Sequence, residues 1–333
     1  MKKYIEFISE SNEEKIHEIC EDLYIKNYVI NNDGSIDVDG DVHISGILDP
    51  EMTKLPLKFN RVNGDFDCSN NSLETLEGAP AFVDGDFDCS HNYIETLEGG
   101  IKEVKGVFDC SFNLLENLEG GPESVVAYNC RENDITSLKG CPKTIEGYFS
   151  CVGNKLKSLE GGPVEVAFNF ECQENELISL VGGPVKVGKH FMCSYNELET
   201  LEGSPKKIGG NLQASNNNIV SIKECPNDIS GWVISLHDND IKSLEGFPLT
   251  INPARTEISI RNNPVEEVYS LLLGHSNSPD DKMRVIEEMN EVFPIYVDEM
   301  EVSYTILCDI WESNNETPIP FESIELKHYT LVT

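Results

Sequence analysis

The chain is short of positive charge and of long apolar runs. Only 25 lysines and arginines stand against 59 acids, a formal charge of −34 over 333 residues. Such a surface excludes binding along a nucleic-acid backbone, because like charge repels before contact forms. Anionic membrane surfaces are disfavoured for the same reason. No apolar run reaches the roughly 18 residues that a bilayer requires, so no span is expected. Behind Met1-Lys2-Lys3, Glu6 and Glu10 interrupt the only early apolar stretch, and no signal peptide is expected. A Gly-x-x-x-x-Gly-Lys loop, a nucleophile elbow and a His-Glu-x-x-His helix are all missing, and the seven histidines are scattered. The alternating Asp37-Val38-Asp39-Gly40-Asp41 fails as a calcium loop, since Val42 stands where an EF-hand needs glycine. Eleven cysteines occur without the paired Cys-x-x-Cys clusters of zinc sites. The expectation is a cytoplasmic chain with reduced thiols, no catalytic residues, no metal and no cofactor.

What the chain does have is a repeat. Cys68, Cys89, Cys110, Cys130, Cys151, Cys172 and Cys193 recur every 20 or 21 residues. Three residues after each comes an asparagine: Asn71, Asn92, Asn113, Asn133, Asn154, Asn175 and Asn196. The register continues through Ala214 with Asn217, Leu236 with Asn239, and Ile260 with Asn263, which makes ten copies. Within a copy, Phe87 and Cys89 alternate with polar neighbours, the period of a strand with one buried face. Ile94 and Leu97 follow at looser spacing, and Gly-Pro pairs such as Gly121-Pro122 punctuate the return leg. One copy cannot bury these side chains alone, so copies must stack, with strands pairing in parallel about 4.7 Å apart. At each turn off the strand, backbone groups point into the stack without a ladder partner. A buried amide can satisfy them, which gives the asparagine column its physical cause. A small polarizable thiol suits an inward slot packed on its own copies above and below, so the cysteine column reads as structural. Disulfides between copies would need Cβ atoms closer than parallel strands allow.

The pattern Phe87-x-Cys89-x-x-Asn92-x-Ile94-x-x-Leu97 resembles the leucine-rich repeat in its short bacterial and phage form, over roughly residues 38–263. The Ser-Leu-Glu-Gly-x-Pro and Gly-x-Phe-x-Cys-Ser-x-Asn phrasing looks like that of uncharacterised tailed-phage proteins. The resemblance implies an α/β repeat fold, a leucine-rich-repeat solenoid whose concave parallel sheet binds other proteins. It also suggests a phage factor that sequesters a host defence protein in the host cytoplasm. Leucine-rich effectors of pathogenic bacteria carry a Cys-x-Asp triplet in a ubiquitin-ligase domain after their repeats. Here Cys20-Glu21-Asp22 precedes the repeats, so that catalytic role is not carried over.

Three segments follow: an N-terminal cap (1–54), a ten-coil solenoid (55–263) and a C-terminal cap (264–333). In the first, Asn12 to Leu23 reads as an amphipathic helix with Ile16, Ile19, Cys20 and Leu23 on one stripe. Tyr28-Val29-Ile30 and Ile36-Asp37-Val38 flank Asn32-Asp33-Gly34, a hairpin signal, and a degenerate coil at Gly40 to Ile44 follows. In the last, Pro264 opens a helix carrying Val265, Val268, Tyr269 and Leu272. A second helix is expected near 279–289, with short strands at 295–297, 304–307 and 329–332.

Outward strand positions supply the candidate binding surface. Asp65, Asp67, Asp86, Asp88 and Asp109 cluster in the first coils, and residues 55–130 hold 14 acids against 4 bases. Phe112, Tyr148, Met192 and Tyr195 are expected to stand exposed as interface anchors. The leading expectation is a non-catalytic module binding a partner protein, one with a basic surface. The alternative is an acidic DNA mimic filling the basic groove of a nuclease, although Lys186, Lys189, Lys206 and Lys207 interrupt the acidic run.

Overall fold

A computed structural model describes residues 13–99, 101–248, 256–273, 284–286, 289, 301–303 and 330–332. The chain divides into two compact units, Met1–Asn175 and Glu176–Thr333.

The first unit opens with helix α1, Glu13–Asp22, which places Glu13 and Glu14 at its positive end and buries Ile16, Ile19 and Cys20. Leu23 is half-buried and Ile25 is buried beyond it; Asn12 lies outside the described residues. Tyr28–Ile30 then pairs antiparallel with Ile36–Val38. From here the backbone runs in parallel ladders. The strands Val42–His43, Phe66–Asp67, Phe87–Asp88, Val107–Asp109, Ala127–Asn129, Phe149–Ser150 and Phe170–Glu171 pair in that order. The degenerate coil at Val42 is thus the first rung.

A second ladder runs along the return leg, where the repeat pattern had suggested only turns. Ile36–Val38, Phe59–Val62, Phe82–Val83 and Glu103–Val104 form one section, and Thr144–Ile145 with Glu165–Val166 another. After Ile36–Val38 and Phe59–Val62, which bury two residues each, every strand commits one buried residue, Val83, Val104, Ile145 or Val166, too few for alternation to show in sequence. The interruption falls on the single coil that is a residue short, between Cys110 and Cys130. There an isolated Glu103 to Ser124 bridge replaces a full strand pair.

In the second unit, Phe191–Met192, Leu212–Gln213, Val233–Ser235 and Glu257–Ser259 pair in parallel. Beside them run Lys186–Val187, Lys207–Ile208 and Asp228–Ile229. Helix α2, Pro264–Leu273, buries Val265 and Val268, while Tyr269 is half-buried. Leu272's side chain lies outside the described residues. Of the expected second helix, 284–286 and 289 are helical, with Val285, Ile286 and Met289 buried. Glu301–Ser303 pairs in parallel with Thr330–Val332; the rest of the expected strands at 295–297, 304–307 and 329–332 lie outside the described residues.

Three columns fill the core. Phe66, Phe87, Phe108, Tyr128, Phe149 and Phe170 are fully buried, with successive ring centroids 5.1–6.0 Å apart. Contacts of this kind are worth about 0.5–1.5 kcal/mol each beyond area burial. Each cysteine lies beside them, and Cys89, Cys110, Cys130 and Cys151 point Sγ at a carbonyl of the following coil, 3.3–3.5 Å away. The asparagines bind two coils at once. Asn92 Nδ2 donates to the carbonyls of Cys68 (3.1 Å), Cys89 (3.1 Å) and Ser90 (3.2 Å), while its Oδ1 accepts from Leu73 N (3.0 Å). The same set recurs at Asn113, Asn133, Asn154 and Asn175, and at Asn217, Asn239 and Asn263 in the second unit. Asn71 makes the same set with Ile44 O, Cys68 O, Ser69 O and Leu48 N, and Asn196 donates to the carbonyls of Cys193 and Ser194 while accepting from Leu177 N.

All ten described cysteines are free and buried. Burial pushes the ladder thiols Cys68, Cys89, Cys110, Cys130, Cys151 and Cys193 well up, and pushes Cys225 up to about 12. The thiolate is the reactive form, so the native ladder should resist alkylation at pH 8. Mass spectrometry after maleimide treatment is expected to show these seven cysteines unmodified before denaturation and fully modified after it. Prompt labelling of the native ladder would contradict the packing described.

Candidate functional site

The sequence-derived surface residues fall into two groups, and the acids in it have a structural task. Asp65 Oδ1 accepts from Asp86 N at 2.8 Å, and Asp86 Oδ1 from Val107 N at 2.7 Å. Asp41 does the same for Asp65 N at 2.9 Å. Each carboxylate passes so close to the next coil that a Cβ on Gly64, Gly85 or Gly106 would sit 2.1 Å from its oxygen. The recurring Gly-Asp is therefore a side-chain staircase laid across glycine. Asp67, Asp88 and Asp109 sit on the strands themselves. Each accepts from the N–H of the serine two residues on, Ser69, Ser90 or Ser111, at 2.8–3.0 Å. These Asx turns lead the chain into a left-handed residue, and Asn70, His91, Phe112 and Glu132 all take φ of 52–55°. Burial pushes the Asp88 carboxyl up against the Ser90 hydrogen bond, with Asp109 and Asp67 adding repulsion.

The large side chains separate. In the second unit Tyr195 is 58% exposed at its own left-handed turn, and Met192 is half-buried. In the first, Phe112 and Tyr148 are half-buried rather than exposed. His91 stacks on Phe112 with centroids 4.3 Å apart and planes at 10°, and the Arg131 guanidinium stands 5.2 Å from the same ring.

Tyr148 lies in an open cleft of about 600 Å³ within the first unit. The cleft exists because the staircase stops. Where Asp41, Asp65 and Asp86 stand in earlier coils, the next two have Val107 and Ala127, too short to cross the neighbouring coil. Their hollow is walled by Tyr148 and by Phe168, which replaces the staircase glycine and is 52% exposed. Val126 stands in another glycine slot at the rim, 39% exposed. Across the neighbouring strands Asn129, Ser150 and Glu171 add a polar row, and Arg131 and Glu146 add charge. Burial, with Asp109 and Glu171 nearby, pushes the Tyr148 phenol up, and Arg131 opposes the shift. A second hollow of about 470 Å³, with Lys105, Ser124 and Lys143 among its walls, marks the interrupted second ladder and shares Val126 and Glu146.

Sequence reading singled out Tyr148 and placed Glu171 in the outward strand column, but did not single out Phe168, Val126 or Arg131. The signal was present as the one 20-residue spacing and as the loss of Gly-Asp pairs after Gly85-Asp86. Neither histidine nor cysteine lines the cleft. Among the described residues no group of three His, Cys, Asp or Glu could hold a metal ion, and no helix is long and apolar enough to cross a membrane. The arrangement offers stacking, hydrogen bonding and charge.

A parallel-strand β-solenoid of about ten turns with 21-residue spacing is a leucine-rich-repeat-like fold, a common scaffold for protein interaction. No family model and no curated protein matches the chain. Among solved structures it is similar to YopM from Yersinia enterocolitica WA-314, at 15% identity over 67% of this chain and 69% of that one, with a TM-score of 0.27. A likeness that slight adds nothing to the repeat geometry.

Proposed function

We propose that the chain is a non-catalytic protein-binding module and that its partner seats on the strand face over the cleft. The observation that carries this reading is the cleft itself. Its volume falls in the range of ligand sites, roughly 300–1,000 Å³, and it joins two accessible aromatic rings to an arginine and a row of amides and hydroxyls. That is the side-chain composition of interface hot spots. The aspartates that suggested DNA mimicry are occupied with backbone N–H groups, so they belong first to the fold. A host protein as partner, sequestered by a phage factor in the host cytoplasm, is the extension that the repeat phrasing suggests.

Capture by tagged wild-type chain and by Tyr148→Ala/Phe168→Ala tests the reading. With hot-spot truncations at about 2 kcal/mol or more each, every change should weaken a partner about thirtyfold. Leu114→Ala, at an exposed residue away from the cleft, should leave capture unchanged. Unaltered capture by the double variant, with its thermal melt intact, would sink the assignment of this face.

A further inference from the structure

The carboxylates of the cleft have no cation. Glu171 is half-buried and takes the Asn169 amide at 3.3 Å, and Glu146 is exposed at the edge. Asp109, one strand beyond Asn129, takes Ser111 and the Asn129 amide at 2.8 Å. None of the three makes an ion pair among the described residues. Acids elsewhere in this unit do: Asp84 with Arg61 and Lys105, Glu119 with Lys139, Asp134 with Lys155. The one base lining the cleft, Arg131, lies against the ring of Phe112. Tyr148 and Phe168 both line the cleft, and aromatic faces attract a planar guanidinium both by stacking and by their quadrupole.

We propose that the cleft recognises its partner through a cationic side chain, an arginine laid between Tyr148 and Phe168 with its guanidinium answered by Glu171. The proposal rests on the reading of the cleft as a protein-binding site and names the chemistry of what enters. Guanidinium satisfies each feature together: a planar face for the rings, paired donors for one carboxylate, and a positive charge for a site with more acids than bases. Burial is the main reason the Tyr148 phenol is raised, and Asp109 and Glu171 add a smaller negative contribution, which an incoming cation relieves. Phosphate and acidic segments meet repulsion there.

The test titrates the full chain with the blocked pentapeptide Gly-Gly-Arg-Gly-Gly, and with versions carrying citrulline or glutamate in place of arginine, by calorimetry. Arginine should bind about fivefold tighter than its neutral isostere citrulline, and glutamate not at all. The preference should shrink as ionic strength rises from about 0.01 M to about 0.15 M. Glu171→Gln, which keeps the side chain's shape, should remove most of the arginine preference while leaving the citrulline peptide unchanged. Phe168→Leu should weaken arginine about two- to fivefold. Equal binding of arginine and citrulline, no binding of either, or an arginine preference indifferent to Glu171→Gln overturns the proposal. A partner lost on Tyr148→Ala/Phe168→Ala but held by Glu171→Gln would overturn it too, while leaving the protein-binding reading in place.

Discussion

Asn113→Asp is expected to destabilise the first unit by about 3–6 kcal/mol at neutral pH, although it changes one NH2 for one oxygen. The amide it replaces is buried and donates to the carbonyls of Cys89, Cys110 and Ser111 at 3.0, 3.1 and 3.2 Å. An aspartate still accepts from Ile94 N, the bond that now measures 2.9 Å, but turns lone pairs on all three carbonyls. Two or three buried acceptors then lose their donor at about 1–3 kcal/mol each. The new carboxyl also resists ionising, so its folded pKa rises above the unfolded value of about 3.9. The sign follows: the protonated form keeps one donor, so the variant should come nearest to wild type below about pH 4. It should lose stability as pH rises from there to the raised folded pKa. Urea unfolding at pH 4 and pH 7 measures both effects. A variant as stable as wild type at pH 7 would show that the asparagine column does not hold the coils together.

Phe149→Ala is expected to cost about 3–5 kcal/mol. Phe149 is fully buried between Tyr128 and Phe170, with centroids 6.0 and 5.3 Å away, and a stacked array cannot collapse one coil without breaking its two neighbours. Its strand carries Ser150 of the cleft floor, so hydrogen exchange should quicken across 127–171 and less elsewhere in the unit. Phe149→Leu should cost less than about 1.5 kcal/mol, since the chain itself places Leu212, Ile234 and Ile258 in this slot. Calorimetric melts of the two variants separate volume from ring contacts. Equal and small losses would mean that the ring column is incidental.

The repeated columns were legible because every copy solves one packing problem with the same residue types. Phe, Cys and Asn recur in register, and the side-chain amide is the economical partner for backbone groups at a turn. Most of the second ladder was not legible, since two-residue strands with a single buried valine or isoleucine carry no period. Nor were the left-handed turns. Asn70, His91, Phe112 and Glu132 share no residue type, and although an Asx turn precedes the first three, Glu174 and Tyr195 take the same conformation after Glu171 and Met192. The aspartates showed the opposite failure. Asp65 and Asp86 read as surface charge, and only coordinates place their oxygens on the N–H groups of the next coil. The cleft depends on what is missing: a residue between Cys110 and Cys130, a carboxylate at Val107 and Ala127, and a glycine at Val126 and Phe168. Departures from the repeat pattern, rather than the pattern itself, mark the proposed site.

Site-specific photocrosslinking tests that claim most directly. A benzophenone amino acid would stand in place of Phe168 in one protein and of Leu114 in another, both exposed, with only the first in the cleft. Irradiation in cell extract should then join one protein to position 168 and none to position 114. The same protein crosslinked equally from both positions, or from 114 alone, would contradict the cleft as the binding site.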